Sequence, residues 1–132
     1  MTPELTYLAY AVLLLFIVIL VHAATGIRQN GGIAMAGNRD NLPPPTVFNQ
    51  RAKRLVENSK ENTLLFAPLV LIAAAADISN SWTILGAQVF LYARIAHAII
   101  YLAGWPIVRP LAWIVGVAGC ALIFLAVLGI LV

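Results

Sequence analysis

Charged residues and cysteine are both scarce in this sequence. Only 10% of its 132 residues are charged and 62% are hydrophobic, whereas soluble domains average about 25% charged and about 45–50% apolar residues. This composition excludes an ordinary soluble domain and predicts an integral membrane protein. The single cysteine, Cys120, lies in an apolar run, which excludes a disulfide framework and a pair of thiolate metal ligands. We interpret Cys120 as a buried, unreactive thiol.

Signals for three other kinds of protein are also missing. The N-terminus has no basic region and no small-residue cleavage site, so we interpret residues 5–24 as a retained membrane span and not as a signal peptide. The net charge is +3, but the basic residues are not interleaved with aromatic ones, and we expect no nucleic-acid partner. His22 and His97 lie far apart, with no cysteine or carboxylate at ligand spacing, and we expect no metal site.

The sequence does contain long apolar segments separated by short connections. A membrane-spanning helix needs about 20 residues, and a chain of 132 residues accommodates four such helices in one domain, residues 1–132. We therefore predict an all-α fold, a four-helix transmembrane bundle. The predicted spans are residues 5–24, 50–76, 81–103 and 110–132. Residues 26–48, between the first two spans, are rich in Gly, Asn and Pro and are predicted to form a loop without helix.

The distribution of Lys and Arg predicts how the bundle is oriented. The basic residues in or beside the first and third connections are Arg28, Arg39, Arg51, Lys53, Arg54 and Arg109. The opposite side has Glu4 and Asp77 and no basic residue. By the positive-inside rule, the first and third connections are cytoplasmic and both termini lie on the non-cytoplasmic side. The short loops and the lack of a C-terminal tail favour a bacterial cytoplasmic membrane.

The second span begins with charged residues that must lie partly within the membrane. Its apolar part, residues 63–76, has only 14 residues, which is too few to cross a bilayer. Charge inside a membrane is costly and commonly marks a functional site. Four polar residues recur at intervals of three or four and therefore share one face of the helix. They are Arg51, Arg54, Asn58 and Glu61.

A second polar stripe lies on the third span. Arg94, His97 and Tyr101 follow the spacing i, i+3, i+7. With a rise of about 1.5 Å per residue, Glu61 lies about 22 Å from the outer end of the second span. Arg94 lies about 18 Å from the outer end of the third span, at a similar depth. We therefore predict that Glu61 and Arg94 form an ion pair.

These polar groups are more numerous than is needed to lock two helices together. An ion pair within a polar network would explain a purely structural contact, but the two stripes also contain more cations than anions. Arginine binds carboxylates through paired hydrogen bonds, and Glu61 can accept an ammonium group. The residues predict a pocket for a polyanionic ligand that has one amino group. Lys53, Glu57 and Lys60 are interpreted as ordinary charges on a different side of the helix, outside the site.

The two stripes together resemble the pattern of the MAPEG superfamily, the membrane-associated proteins of eicosanoid and glutathione metabolism. The pattern is Arg51-x-x-Arg54-x-x-x-Asn58-x-x-Glu61 followed by Phe66, then Arg94-x-x-His97-x-x-x-Tyr101, then Arg109. The resemblance covers nearly the whole chain. It implies a homotrimer of four-helix protomers, with glutathione bound as cosubstrate at subunit interfaces near the cytoplasmic side. It also implies that the tripeptide site is lined by Arg51, Arg54, Asn58, Glu61, Arg94, His97 and Tyr101.

Two further arginines receive roles from the resemblance. Arg28, at the end of the first span, resembles a basic residue that reaches the site from the neighbouring subunit. Arg109 resembles the arginine that stabilises the glutathione thiolate in the synthases of the family, and it is the predicted catalytic residue. Pro110 stands where some members have a hydroxyl residue, which excludes a serine-assisted mechanism at that position. The expected function is a membrane-bound glutathione transferase or peroxidase that acts on lipophilic electrophiles, in detoxification or lipid metabolism.

Two other functions stay open from the sequence. The first is a non-catalytic lipid-binding protein or an accessory subunit of a larger membrane complex, like the lipoxygenase-activating branch of the family. A nearly full set of glutathione-binding residues argues against this alternative. The second is a small ion or proton transporter with Glu61 and Arg94 in its path, but the sequence has no internal repeat of the transporter type.

Overall fold

Five helices account for most of the chain in the computed structural model, which describes all 132 residues. They are α1 (Pro3–Asn30), α2 (Gly32–Ala36), α3 (Val47–Ala75), α4 (Ser81–Ala103) and α5 (Val108–Val127). No strand is present, so the predicted all-helical fold is confirmed. By length and composition, α1, α4 and α5 are able to cross a membrane. The helix α3 is long enough at 29 residues, but its polar first half keeps it outside that set.

Two helix ends differ from the ends of the predicted spans, and a glycine accounts for each difference. The helix α1 continues to Asn30 and stops at Gly31, whose φ is 83°. The helix α5 ends at Val127 instead of residue 132, and Gly129 follows with a φ of 73°. Only glycine adopts such angles readily. The prediction that residues 26–48 contain no helix is also wrong, because α1 extends into them and α2 lies within them.

Two glycines bring the backbones of α4 and α5 into direct contact. A Cβ atom at Gly86 would lie 2.6 Å from the carbonyl oxygen of Gly119, and a Cβ atom at Gly119 would lie 2.6 Å from the carbonyl oxygen of Gly86. Neither position therefore has room for a side chain. Further along the pair, the Arg109 guanidinium lies over the Tyr101 ring. The two helices consequently run antiparallel, and the end of α4 lies beside the beginning of α5.

The apolar core joins the four long helices. Phe66 on α3 and Phe90 on α4 are fully buried and stack with their ring centroids 3.9 Å apart. Ala11 from α1 and Ile123 from α5 belong to the same cluster. Because large buried side chains each contribute a few kcal/mol to folding, this cluster fixes the positions of the helices around it. The polar stripes of α3 and α4 therefore hold fixed positions relative to each other.

A polar network ties the start of α1 to the start of α4. The Glu4 carboxylate is 2% exposed and accepts hydrogen bonds from the hydroxyl groups of Ser79, at 2.9 Å, and Thr83. One turn further along α1, the Tyr7 hydroxyl accepts a hydrogen bond from the Gln88 side chain at 2.7 Å. The sequence analysis placed Glu4 only at the outer side of the bundle. Its burial among hydroxyl groups shows that Glu4 helps to hold the start of α1 against the start of α4.

Candidate functional site

A polar cavity of about 400 Å³ opens among α3, α4 and α5. It lies at the end of the bundle where α4 stops and α5 begins. Nine residues line it: Arg54, Glu57, Asn58, Glu61, His97, Tyr101, Arg109, Pro110 and Trp113. Six of these are among the nine site residues predicted from the sequence. The fold thus brings together the central part of the predicted set, and what those residues bind stays a prediction.

The helix α3 supplies one wall of this cavity through four residues on one face. Arg54, Glu57, Asn58 and Glu61 lie at positions i, i+3, i+4 and i+7, which place them along a single stripe. Asn58 is held by Asn62, whose side-chain amide donates to the Asn58 backbone carbonyl at 2.8 Å. The wall therefore presents one guanidinium, one amide and two carboxylates to the cavity.

The placement of Glu57 corrects the sequence analysis, which put this residue on another side of α3. Glu57 is three residues after Arg54 and four before Glu61, so it falls between them on the same stripe. The spacing of Glu57 from Arg54 and Glu61 can be read from the sequence, but Glu57 was grouped with Lys53 and Lys60 instead. Lys53 and Lys60 do lie outside the cavity, as predicted. Their exclusion leaves Arg54 and Arg109 as the cations that line it.

The opposite wall is built by the end of α4 and the first turns of α5. His97 is 2% exposed, and its Nδ1 atom has no hydrogen-bond partner. Its ring lies 5.5 Å from the ring of Tyr101. The guanidinium of Arg109 lies 5.0 Å from the centroid of the Tyr101 ring, within the range of a cation–π interaction. Arg109 is the second residue of α5, so the left-handed Gly104 that ends α4 allows the chain to return it towards the cavity.

Arg94 is buried, but it lies outside this cavity. Its guanidinium is 4% exposed, and its Nη2 atom donates to the Ser59 hydroxyl at 3.1 Å. Its Nη1 atom has no partner, so the predicted ion pair between Glu61 and Arg94 is wrong in this chain. Glu61 and Arg94 lie at similar depths along their helices, but depth does not determine the direction in which a side chain points around the helix axis. Ser59 is two residues before Glu61, a rotation of about 200° around the helix. Ser59 therefore faces Arg94, whereas Glu61 faces the cavity.

Two other predicted residues also lie outside the cavity. Arg51 packs over the end of α4, because a Cβ atom at Gly104 would lie 2.7 Å from its guanidinium. Arg28 is exposed in the last turn of α1. The expectation that Arg28 reaches the site of a neighbouring subunit stays a prediction. Sequence analysis missed Trp113, which lies one turn after Arg109 and could have been found from that spacing alone.

Comparison with known proteins gives one result for this chain. The family model described as MAPEG family matches residues 5–129. No curated protein and no solved structure matches significantly. The family match spans all four long helices and includes every residue that lines the polar cavity.

Proposed function

Because the chain belongs to the MAPEG family, we propose that it is a membrane-bound glutathione transferase, with or without peroxidase activity, that acts on lipophilic electrophiles. Proteins of this family act in membrane-associated glutathione and eicosanoid metabolism, and three helices of this chain are able to cross a membrane. The observation that supports the proposal is the polar cavity, where the arginine, amide and carboxylate groups of the motif converge. Its volume of about 400 Å³ lies within the usual range of small-molecule sites.

The cavity offers partners for the thiolate, the ammonium group and one carboxylate of glutathione. Arg54 and Arg109 are suited to carboxylate and thiolate groups, since a guanidinium donates hydrogen bonds in a planar fork. Glu61 is suited to the ammonium group of the tripeptide. The Asn58 Oδ1 atom accepts a hydrogen bond from the Asn62 amide at 3.3 Å, and the Asn58 Nδ2 group is available to a peptide carbonyl of the ligand. In this assignment Arg54, Asn58 and Glu61 bind glutathione, and Arg109 contacts the sulfur.

The chemical step needs a thiolate. A thiol with a pKa near 8.5 is mostly protonated at neutral pH, and a nearby guanidinium favours the ionised form. The Arg109 guanidinium supplies the positive charge beside the sulfur. The thiolate then attacks the electrophilic carbon of the substrate, the carbon–sulfur bond forms, and the leaving group departs with the electron pair. Pro110 follows Arg109 and has no hydroxyl group to assist.

The apolar substrate enters from the lipid side of α5. Leu111 and Ile114 are exposed there, next to Pro110 and Trp113 of the cavity wall. An exposed apolar surface on a membrane helix is in contact with acyl chains, so a lipophilic molecule diffuses in the bilayer until it meets the cavity. Trp113 both lines the cavity and belongs to the exposed apolar surface of α5. It is the residue best placed to contact the electrophile.

We further infer that α3 is the fourth membrane span and that the functional unit is a homotrimer. With 29 residues, α3 is about 43 Å long, and it contributes Phe66 and Val70 to the core shared with the other long helices. In the proposed trimer, Arg28, which is exposed in the last turn of α1, is the residue expected to reach the cavity of a neighbour. The arginine-rich end of the bundle then faces the cytoplasm of a bacterial cell, and both termini face away from it.

Glutathione binding and thiolate formation test the proposed function directly. The purified protein should bind glutathione in a calorimetric titration, and the ultraviolet absorbance of the thiolate should appear at neutral pH. A panel of lipophilic electrophiles should show turnover that depends on the thiol. Absence of both heat of binding and thiolate absorbance in a correctly folded preparation would refute the proposal. Chemical crosslinking and mass measurement of the detergent-solubilised protein test the trimer separately.

The charge balance of the cavity favours one alternative, an accessory lipid-binding subunit without catalysis. Two carboxylates, Glu57 and Glu61, face two guanidinium groups there, and Arg51 and Arg94 are directed elsewhere. The excess positive charge expected from the sequence is therefore missing from the cavity itself. Copurification with a larger membrane complex, together with no turnover on the electrophile panel, would support this alternative. Thiol-dependent turnover would exclude it.

A further inference from the structure

A second and larger cavity lies on the other side of α3. Its volume is about 910 Å³, and it is enclosed by the end of α1, the segment from α2 to residue 45, and the beginning of α3. Apolar, amide and basic side chains line it, among them Ile19, Asn30, Arg39, Asn49 and Lys53. None of the residues that line it also lines the polar cavity. It is therefore a separate compartment at the arginine-rich end of the bundle.

Hydrogen bonds hold the outer wall of this cavity in place. The side chain of Gln29 donates to the Pro44 carbonyl at 2.8 Å and accepts from the Thr46 backbone N–H at 3.2 Å. The Gln50 side chain donates to the Pro45 carbonyl at 3.1 Å. These contacts fasten the far end of the segment to both α1 and α3. The segment is thus a formed wall and not a free loop over the membrane surface.

Two amides on the inner wall have hydrogen-bonding groups without partners. Asn49 is 9% exposed, and its side-chain amide, whose atoms keep some access to solvent, makes no hydrogen bond within the protein. The Oδ1 atom of Asn30 is buried and has no partner, while its Nδ2 atom meets only the sulfur of Met35 at 3.5 Å. A buried amide oxygen without a partner is energetically unfavourable. The buried Asn30 Oδ1 atom and the unbonded Asn49 amide are therefore available to hydrogen-bond a polar ligand.

The charged residues on this cavity are cationic. Arg39 and Lys53 line it and are exposed. No carboxylate lines it. Asp40 follows Arg39 in the chain but does not contribute to the wall. Arg39 is held by its Nε atom, which donates to the Met35 carbonyl at 2.7 Å. The cavity therefore favours an anion.

An apolar stripe leads from the cavity along α1. Ile19, Ala23 and Ile27 recur every four residues and all line the cavity. The stripe extends about 12 Å along the helix. Ile19 and Ile27 are both exposed, and the exposed Phe16 continues the apolar surface towards the start of α1. A ligand that fits this arrangement has an anionic head and an apolar chain that follows α1 into the membrane.

We propose that this cavity binds the head group of an anionic phospholipid, with the phosphate between Lys53 and Arg39, polar head-group atoms on Asn49 and Asn30, and an acyl chain along Ile19 and Ile27. Cationic pockets between membrane helices are a known way of binding acidic head groups. A zwitterionic lipid lacks the net charge that this lining favours. The proposal depends on the membrane location of the protein and does not depend on the proposed thiol chemistry.

The test uses the purified full-length protein after extensive delipidation. Native mass spectrometry and thermal stabilisation are measured with phosphatidylglycerol, phosphatidylcholine and inorganic phosphate as the three probes. Wild-type protein should retain phosphatidylglycerol and be stabilised by it at concentrations at which phosphatidylcholine and phosphate have no effect. Lys53→Gln should weaken this binding about fivefold, and the double variant with Arg39→Gln about 30-fold. Stabilisation by inorganic phosphate alone would show a simple anion site and overturn the lipid assignment.

Two further variants separate the cavity from general surface charge. Lys60→Gln removes a cation from the same helix at a position on neither cavity, and it should leave phosphatidylglycerol binding unchanged. Asn49→Asp is nearly isosteric and places a negative charge on the inner wall, near the N-terminus of α3 where acidic residues are tolerated. It should weaken binding at least as much as Lys53→Gln while the melting temperature of the lipid-free protein is maintained. Equal losses in Lys60→Gln and Lys53→Gln, or full binding in Asn49→Asp, would overturn the proposal.

Discussion

The substitution Glu57→Gln tests whether the charge of the polar cavity controls the affinity for the thiol. With Glu57 and Glu61 facing Arg54 and Arg109, the formal charges of the lining cancel. Glutathione has more negative than positive groups at neutral pH. Glu57 therefore opposes its binding, and the uncharged isostere removes that repulsion without changing the shape of the wall.

The size of the effect follows from the position of Glu57 on α3. Glu57 lies one turn from both Arg54 and Glu61, so a carboxylate bound at Arg54 lies about 8 Å from it. Two like charges at that distance repel by about 0.5 kcal/mol in water and about 2 kcal/mol at an effective dielectric constant of about 20. The Glu57 side chain is exposed, so a value near 1 kcal/mol is appropriate. The variant should bind glutathione about fivefold more tightly.

Calorimetric titration at two salt concentrations measures this effect. The gain should shrink at about 1 M salt, where the screening length is about 3 Å. Glu61→Gln is the matched control, since it removes the same charge from the same stripe. It should weaken binding, because Glu61 is assigned to the ammonium group. If both variants bind glutathione more tightly, Glu61 does not contact the ammonium group. If Glu57→Gln has no effect on affinity, the ligand does not lie against this stretch of α3.

Three further substitutions test other parts of the structure. Arg109→Ala should lower kcat about 100- to 1000-fold while the calorimetric affinity for glutathione changes less, and an equal loss in both would refute its role at the sulfur. Ser59→Ala removes the partner of the Arg94 Nη2 atom and should lower the free energy of unfolding by about 1–3 kcal/mol, measured by denaturant titration in detergent. Gly86→Ala drives a methyl group against the Gly119 carbonyl and should cost about 1–3 kcal/mol. Gly116→Ala is its control, because a Cβ atom there meets Ala93 at an ordinary 3.6 Å and stability should be maintained.

Helical periodicity predicts which residues share a face, and it was sufficient for most of the site. The intervals between Arg54, Asn58 and Glu61 placed them together, and the structure finds them on one cavity. Periodicity also predicts that Glu57 shares this face, although Glu57 was grouped with Lys53 and Lys60. For residues of a single helix, the sequence was therefore sufficient to predict which side chains share the cavity.

The errors arose where the contact depends on a neighbouring helix. Arg94 is three residues from His97, yet only His97 lines the polar cavity, because α1 and Ser59 close around Arg94. Similarly, Arg51 covers the end of α4 because that helix stops at Gly104. Such placements depend on where another helix ends and how it is rotated. Spacing along one segment does not contain that information.

The buried carboxylate of Glu4 has a consequence for the order in which the protein assembles. Its hydroxyl partners, Ser79 and Thr83, come 75 and 79 residues later in the chain. At about 5–20 residues per second, a ribosome needs about 4–15 s to synthesise that interval. Until the start of α4 has been made, Glu4 lacks both hydroxyl partners. A nascent chain that stops before Ser79 therefore leaves this carboxylate without the hydrogen bonds that accompany its burial in the folded protein.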